Sequence, residues 1–82
     1  LNDTTENLLE IGPGTGILTD IILQQTIPHF KVIEIDNESV VFLHEKYPEL
    51  KESLIEGDFL KIDLSSIFTA KFSIVGNFPY NI

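Results

Sequence analysis

The chain has 82 residues, of which 43% are hydrophobic and 22% charged, and its formal net charge is −8. This composition predicts one small folded domain and argues against disorder. The absence of cysteine excludes disulfides and thiolate metal sites, and the longest apolar runs are too short to span a membrane. All five cationic residues are lysines, so these residues alone should not hold nucleic acid tightly.

The first half of the chain alternates strand-like and helix-like segments. Residues 7–11 form a short apolar run stopped by Gly-Pro-Gly, which predicts a buried strand. Apolar residues at positions 17, 18, 21 and 22 predict a helix over residues 15–25. The β-branched run 31–35 predicts a second strand. Asp36 or Asn37 would then cap a helix from about residue 38 to 47, whose apolar side comprises positions 40, 41, 43, 44 and 47.

The second half continues the alternation with shorter elements. Residues 53–56 predict a weak third strand, residues 64–68 a helical turn, and residues 72–76 a fourth strand. This order predicts an α/β fold with a parallel sheet, right-handed crossovers and flanking helices. Ligands of such sheets bind beyond the carboxyl ends of the strands, where the polar and glycine-rich residues of this chain are expected to lie.

A glycine-rich sequence, Glu10-Ile-Gly12-Pro-Gly14-Thr-Gly16, follows the first predicted strand. Its glycines allow a close approach of the backbone to a ligand, although a plain tight turn is the simpler alternative. A dinucleotide fingerprint would need its third glycine at position 17, which is isoleucine here. Glu10 would repel a pyrophosphate but attract a cationic amino group, so the loop favours S-adenosylmethionine over NAD.

The second predicted strand ends in acidic residues. Glu34 can accept hydrogen bonds from both hydroxyls of a ribose, as in NAD enzymes, so it does not by itself distinguish the two cofactors. Asp36 is explained about as well as a solvated acid. Ile35, between them, could pack against the face of an adenine.

Two further motifs follow the third and fourth predicted strands. Gly57-Asp58-Phe59 offers a carboxylate to an adenine amine and an apolar wall, but a turn capped by aspartate is an equally good explanation of that motif in isolation. Asn77-Phe-Pro79-Tyr80 is the most discriminating motif. The Asn77 and Pro79 carbonyls can accept from one amino group, and Tyr80 can stack on a flipped-out base. A proline turn with a half-buried tyrosine is the structural alternative.

With these motifs in this order, the chain resembles the ribosomal RNA adenine-N6 dimethyltransferases, above all the small-subunit, kasugamycin-sensitivity type. The resemblance rests on residues 10–16, 32–36, 56–60 and 76–82 and covers essentially the whole chain. Erythromycin-resistance methylases share Asn-x-Pro-Tyr, but Pro13 and the Gly-Asp-Phe-Leu run favour the small-subunit type. The resemblance implies a Rossmann-like class I fold, S-adenosylmethionine as cofactor, dimethylation of adenosine N6 in small-subunit ribosomal RNA, and a cytoplasmic location.

The resemblance also implies a role for each matched residue. The implied cofactor contacts are Glu10, Gly12, Gly14 and Gly16 for the methionine part, Glu34 for the ribose, Ile35, Asp58 and Phe59 for the adenine, and Asn77 beside them. Asn77 and the Pro79 carbonyl would orient the target N6, and Tyr80 would stack on the target base. No metal is needed for this chemistry, and neither histidine has a partner at metal-ligand spacing.

Compared with the family pattern, residues 1–82 would form a partial catalytic domain with its first four strands. An N-terminal segment that closes over the cofactor, the remaining strands and a basic helical domain would lie outside it. Ribosomal RNA or the small-subunit pre-ribosomal particle would be held through those regions, and the 82 residues alone should be inactive. The fourth strand would be an exposed edge that invites self-association.

Two other interpretations stay open at this point. The chain could belong to an enzyme of the same fold that methylates adenine N6 in DNA or a protein glutamine. It could instead be a binding-only ribosome-assembly module, in which case replacing Asn77 and Tyr80 would abolish methylation but leave particle binding intact.

Overall fold

The computed structural model describes residues 6–68 and 70–76. These residues form a parallel sheet with the strand order β3-β2-β1-β4. The strands are β1 (Asn7–Ile11), β2 (His29–Glu34), β3 (Leu54–Glu56) and β4 (Ser73–Gly76). The helices are α1 (Ile17–Leu23) and α2 (Asn37–Lys46), with 3₁₀ turns at Pro48–Leu50 and Leu64–Ser66. This arrangement confirms the predicted α/β fold.

The sheet is covered on both faces, which explains why its central strands are continuous apolar runs. Adjacent residues of a strand point to opposite faces, and Val32 and Ile33 of β2 belong to two different core clusters. Val32 packs with α2 residues such as Leu43, whereas Ile33 packs with Ile67 and Phe68 of the segment before β4. Because both faces are covered, the adjacent residues Leu8 and Leu9 of the central strand β1 both have no exposed surface.

Helix α1 is shorter than predicted, and only part of its apolar spacing is buried. Gly16 caps the helix with a left-handed φ of 90°, so the helix begins at Ile17 instead of residue 15. Ile17 and Ile21 are 75% and 52% exposed, whereas Thr19 and Ile22 are buried. Apolar spacing alone did not reveal which side of α1 faces the sheet, because a polar residue occupies that side.

Helix α2 follows the prediction closely. Its cap is Asp36, whose side chain accepts a hydrogen bond from the Ser39 N–H at 3.0 Å, and Asn37 is the first helical residue. The helix ends at Lys46, one residue earlier than predicted. Of its predicted apolar side, positions 40, 43 and 47 are buried and positions 41 and 44 are exposed.

The other boundaries differ by one or two residues. β2 begins at residue 29 and ends at 34, so Ile35 lies beyond it, while β3 and β4 each begin one residue later than predicted. All four strands run in the same direction, so the ends of β1, β2 and β3 place the predicted ligand residues along one edge. In the described part of the chain, no helix is long and apolar enough to cross a membrane.

Candidate functional site

The loop between β1 and α1 contains three glycines, and any other residue at these positions would strain the backbone. Gly12, Gly14 and Gly16 have φ values of 66°, 57° and 90°, in the left-handed region. A Cβ added to Gly14 would meet no atom within 4 Å, so that position borders open space. A Cβ on Gly16 would instead lie 2.9 Å from the Tyr47 ring. The same loop thus combines one open position with one closely packed position.

The end of α2 supports this loop from behind. The Tyr47 hydroxyl lies 3.2 Å from the Gly16 carbonyl oxygen and 3.3 Å from a carboxylate oxygen of Asp20. Lys46 donates to the Thr15 carbonyl at 3.4 Å. Because Tyr47 is buried in the core cluster of α2, the loop conformation depends on the packing of the domain.

Glu34 joins the loop to the end of β2. Its Oε1 atom accepts from the Gly14 N–H and its Oε2 atom from the Asp36 N–H, both at 3.0 Å. The side chain is only 6% exposed. A carboxylate offers about four acceptor positions, so each oxygen retains capacity for one further donor. Glu34 therefore has a structural role and can still bind a ligand.

Glu10 is a buried carboxylate beside the same loop. It is 1% exposed and accepts a hydrogen bond from the hydroxyl of Thr19, which has no exposed surface. Burial raises the pKa of Glu10 above its ordinary value, the bond from Thr19 opposes that rise, and the charge of Glu34 adds to it. An acid of this kind stabilises a cation more strongly than an exposed acid would, because little water screens it.

Two cavities meet at Gly12. The first, which we call the β2–β3 cavity, has a volume of about 210 Å³. It is lined by Ile11, Gly12, Ile33, Glu34, Ile35, Gly57, Asp58, Phe59 and Leu60. The second, the loop cavity, has a volume of about 370 Å³. It is lined by Glu10, Gly12, Pro13, Gly14, Thr15, Ile17 and Leu18.

Asp58 caps a turn, which is one of the two explanations of its motif, and it also borders a cavity. Its Oδ1 atom accepts from the Leu60 N–H at 2.9 Å, so the aspartate does cap a turn. None of the described residues donates to its other oxygen, and Asp58 lines the β2–β3 cavity. The neighbouring Gly57 donates its N–H to the Glu34 carbonyl at 2.9 Å, which ties the end of β3 to the end of β2.

The structure brings most of the predicted cofactor residues together in two groups. Gly12, Glu34, Ile35, Asp58 and Phe59 line the β2–β3 cavity, and Glu10, Gly12 and Gly14 line the loop cavity. Gly16 lines neither cavity but is buried against Tyr47.

The remaining predicted residues, Asn77, Pro79 and Tyr80, lie outside the described residues. The last described residue of β4, Gly76, pairs with Ile11, directly before Gly12. Within residues 6–68 and 70–76, no group of three or more histidine, aspartate or glutamate side chains could hold a metal ion.

Sequence reasoning missed the contributions of Thr19 and Tyr47. Thr19 is followed by a second polar residue, the exposed Asp20, so the sequence did not show which of the two is buried. Tyr47 was assigned to the apolar side of α2, but nothing in the sequence indicated that its hydroxyl reaches Gly16, because the two residues are 31 positions apart.

Comparison with known proteins gives a consistent result. Residues 2–82 match the family described as ribosomal RNA adenine dimethylase. The chain is 49% identical over 82 residues to Ribosomal RNA small subunit methyltransferase A of Cytophaga hutchinsonii, covering 100% of the chain and 32% of that relative. The protein of the same name from Parabacteroides distasonis is 48% identical over 82 residues, covering 98% of the chain and 30% of the relative. The chain thus spans about a third of the length of these curated relatives.

Proposed function

The chain belongs to the ribosomal RNA adenine dimethylase family, and from this premise we propose that it forms the cofactor-binding part of an enzyme that dimethylates adenosine N6 in small-subunit ribosomal RNA. The cofactor is S-adenosylmethionine, which when bound supplies a methyl group activated by the positive charge on sulfur. The observation that carries the proposal is the meeting of two chemically different cavities at Gly12. The cofactor has two corresponding parts, a nucleoside and an amino acid.

The β2–β3 cavity takes the nucleoside part. Ile35 and Phe59 provide apolar surface for the two faces of the adenine, and the second oxygen of Asp58 accepts from its exocyclic amine. Glu34 accepts from the ribose hydroxyls through its remaining lone pairs. A flat apolar ring with polar groups at its edges is the ligand shape for which this lining is suited.

The loop cavity takes the amino-acid part. Glu10 is its buried acid and attracts the α-amino group. Gly12 and Gly14 border the cavity without side chains, and the space in front of Gly14 is open for at least 4 Å from a notional Cβ. These residues therefore fit the group in both shape and charge, whereas a pyrophosphate would meet the negative charge of Glu10.

The catalytic contacts fall on the segment that follows β4. The side-chain carbonyl of Asn77 and the backbone carbonyl of Pro79 accept from the target N6 amine, and Tyr80 stacks on the target base. The two acceptors would bring the amine lone pair out of the plane of the purine, so that it could attack the methyl carbon as the bond from that carbon to sulfur breaks. S-adenosylhomocysteine would leave as a neutral thioether, and the methylated N6 would then lose a proton to solvent. The pairing of Gly76 with Ile11 supports this proposal because the segment begins beside the loop that would hold the cofactor.

The partner is the small-subunit pre-ribosomal particle, in the cytoplasm, and it is held mainly by regions outside these 82 residues. A chain with a net charge of −8 and five lysines lacks the cationic surface that a polyanion requires. Residues 1–82 are then a partial catalytic domain, and β4, at one edge of the described sheet, is the strand through which the chain can pair with further strands or with a second copy.

Calorimetric titration with S-adenosylhomocysteine and with NAD tests the cofactor assignment. We expect binding of S-adenosylhomocysteine and little binding of NAD. Glu34→Gln should weaken S-adenosylhomocysteine about 10-fold or more, because hydrogen bonds to a charged group contribute about 1.5–3 kcal/mol each. Preference for NAD would contradict the proposal.

A second ligand separates ribose binding by Glu34 from its structural role. An S-adenosylhomocysteine analogue that lacks both ribose hydroxyls should bind the parent and Glu34→Gln with similar affinity, because it cannot use the carboxylate. Equal weakening of both ligands by Glu34→Gln would show that the residue acts only on the loop. The target is tested by mass spectrometry of ribosomal RNA, DNA and protein substrates after incubation with the enzyme, with dimethyladenosine in ribosomal RNA expected.

A further inference from the structure

Thr19 occupies a position in α1 that the hydrophobic effect does not explain. Its side chain is completely buried, while Ile17 and Ile21 of the same helix are 75% and 52% exposed. Burying a hydroxyl instead of an isoleucine is unfavourable unless the hydroxyl forms a good hydrogen bond. Its partner is the Oε1 atom of Glu10, so this contact accounts for the orientation of Thr19.

The two oxygens of the Glu10 carboxylate differ in their hydrogen bonds. Oε1 accepts from Thr19, and none of the described residues donates to Oε2. Among these residues, no fully buried side-chain oxygen lacks a hydrogen-bond partner. Glu10 is also one of the residues that line the loop cavity. Thr19 itself is not among the residues that line it.

We propose that Thr19 is a positioning residue, which fixes one oxygen of Glu10 so that the other faces the amino group of the ligand's amino-acid part. This inference rests on the proposed function and adds a specific residue to it. A threonine hydroxyl has one proton, and donating it to Glu10 sets the rotation of the carboxylate. The contact also favours the ionised form of Glu10, which a cationic amino group needs.

The alternative is that Thr19 only supports the fold. α1 packs on the sheet through few buried residues, so loss of any of them could disturb the loop and both cavities together. The two roles differ in which part of the ligand they affect. A positioning role through Glu10 affects the amino-acid part alone, whereas a structural role affects the nucleoside part as well.

The test compares two ligands that differ in the amino-acid part. S-adenosylhomocysteine carries it, and 5′-methylthioadenosine lacks it. In calorimetric titrations of the full chain, Thr19→Val should weaken S-adenosylhomocysteine about 10-fold and leave 5′-methylthioadenosine within about 2-fold of the parent. Thr19→Ser keeps the hydroxyl and should retain most of the S-adenosylhomocysteine affinity. Thr26→Val, which removes an exposed hydroxyl after the same helix, should change neither ligand.

A double-mutant cycle with Glu10→Gln gives a second test, and Thr19→Val should be less destabilising there because no buried charge is left without its donor. In Glu10→Gln, adding Thr19→Ser or Thr19→Val should change S-adenosylhomocysteine affinity no further, because the carboxylate on which Thr19 acts is gone. Equal weakening of both ligands by Thr19→Val, or failure of Thr19→Ser to restore affinity, overturns the positioning role. If the parent itself does not bind S-adenosylhomocysteine, the proposed function fails, and that outcome is distinct because no variant is needed to observe it.

Discussion

Glu34 and Gly14 are 20 positions apart in the chain, and the Oε1 atom of Glu34 accepts a hydrogen bond from the Gly14 N–H at 3.0 Å. This bond connects the two cavities mechanically. A ligand that bound Glu34 in the β2–β3 cavity would also act on the bond that holds Gly14 at the border of the loop cavity. Binding of the nucleoside and the shape of the loop should therefore be coupled.

Two alanine substitutions in the loop form a matched pair. Gly14→Ala and Gly16→Ala both place a side chain at a left-handed φ, which costs about 1–2 kcal/mol. Only Gly16→Ala also pushes a Cβ to 2.9 Å from the Tyr47 ring, which should cost about 1–3 kcal/mol more. Urea unfolding should show the larger loss of stability for Gly16→Ala.

Ligand titration should reverse that order for folded protein. Gly14→Ala adds a methyl group at the border of the loop cavity and should weaken the binding of S-adenosylhomocysteine more than Gly16→Ala does. Equal losses of stability for the two variants would mean that the Tyr47 ring moves aside at little energetic cost. Equal ligand losses would mean that the open space at Gly14 is not used.

Glu10→Gln should reduce the loss of folding stability that occurs as the pH rises to neutral. The pKa of Glu10 in the folded protein lies above its ordinary value of 4.5 because the side chain is buried, so the folded state binds the proton more tightly than the unfolded state. Stability is therefore lost as pH rises from the ordinary pKa through the raised one. Glutamine does not ionise and avoids this loss.

Urea unfolding at about pH 4 and about pH 7 measures this effect. The stability of Glu10→Gln minus that of the parent should be greater at the higher pH, and Glu10→Gln should bind S-adenosylhomocysteine more weakly. Glu45→Gln, which removes an exposed acid from α2, controls for the change in net charge. A difference that does not vary with pH would contradict the account of Glu10.

Tyr80 should act through its ring and not through its hydroxyl. Tyr80→Phe keeps the stacking surface and should retain most methyl transfer, whereas Tyr80→Ala should lower kcat/KM about 10-fold or more, since stacking contributes about 1–3 kcal/mol per base. Methyl incorporation into unmethylated small-subunit particles measures both. Equal activity of Tyr80→Ala and the parent would remove Tyr80 from the site.

Asn77→Ala should abolish methyl transfer while leaving particle binding unchanged. The amide carbonyl is one of the two acceptors proposed for N6, whereas the proposed function assigns most of the particle binding to other regions. Co-sedimentation with small-subunit particles measures binding separately from methyl incorporation. Retained methyl transfer in Asn77→Ala would contradict the assigned role, and loss of binding would indicate a contact with RNA.

The 82 residues should need the rest of a family member to act. The chain can replace the matching segment of the Cytophaga hutchinsonii relative, to which it is 49% identical. The chimera should methylate small-subunit ribosomal RNA, and the chain alone should not. The same chimera with Tyr80→Ala is the control. Turnover by the isolated chain would show that the residues supplied by the relative are dispensable.

Local patterns in the sequence predicted all four described strands, with ends correct to within two residues. β1 has the predicted bounds because an apolar run and a following Gly-Pro-Gly define both of its ends. The sequence offered two candidates for the cap of α2, Asp36 and Asn37, and the bond from the Ser39 N–H identifies Asp36 as the cap. The edge of the sheet that carries the glycine loop, Glu34 and Asp58 followed from the parallel order of the strands.

Contacts between distant residues could not be predicted in the same way. The apolar spacing of α1 predicted a helix but not the burial of Thr19, whose partner Glu10 lies on another element. The ribose role of Glu34 stays a prediction, and its bond to Gly14 was not foreseen because that bond depends on the left-handed turn of the loop. Such contacts are set by tertiary packing, and the identity of single residues carries little information about them.

The central position of β1 has a consequence for how the chain folds during translation. β1 is made first, yet Leu8 pairs both with Phe30 of β2 and with Ser73 of β4. Contacts so far apart along the sequence slow folding, because a long segment must be closed before they form. A ribosome making this protein therefore releases the middle of the sheet long before it releases one of its two neighbours. Until Gly76 has left the exit tunnel, the side of β1 that pairs with β4 has no complete partner strand.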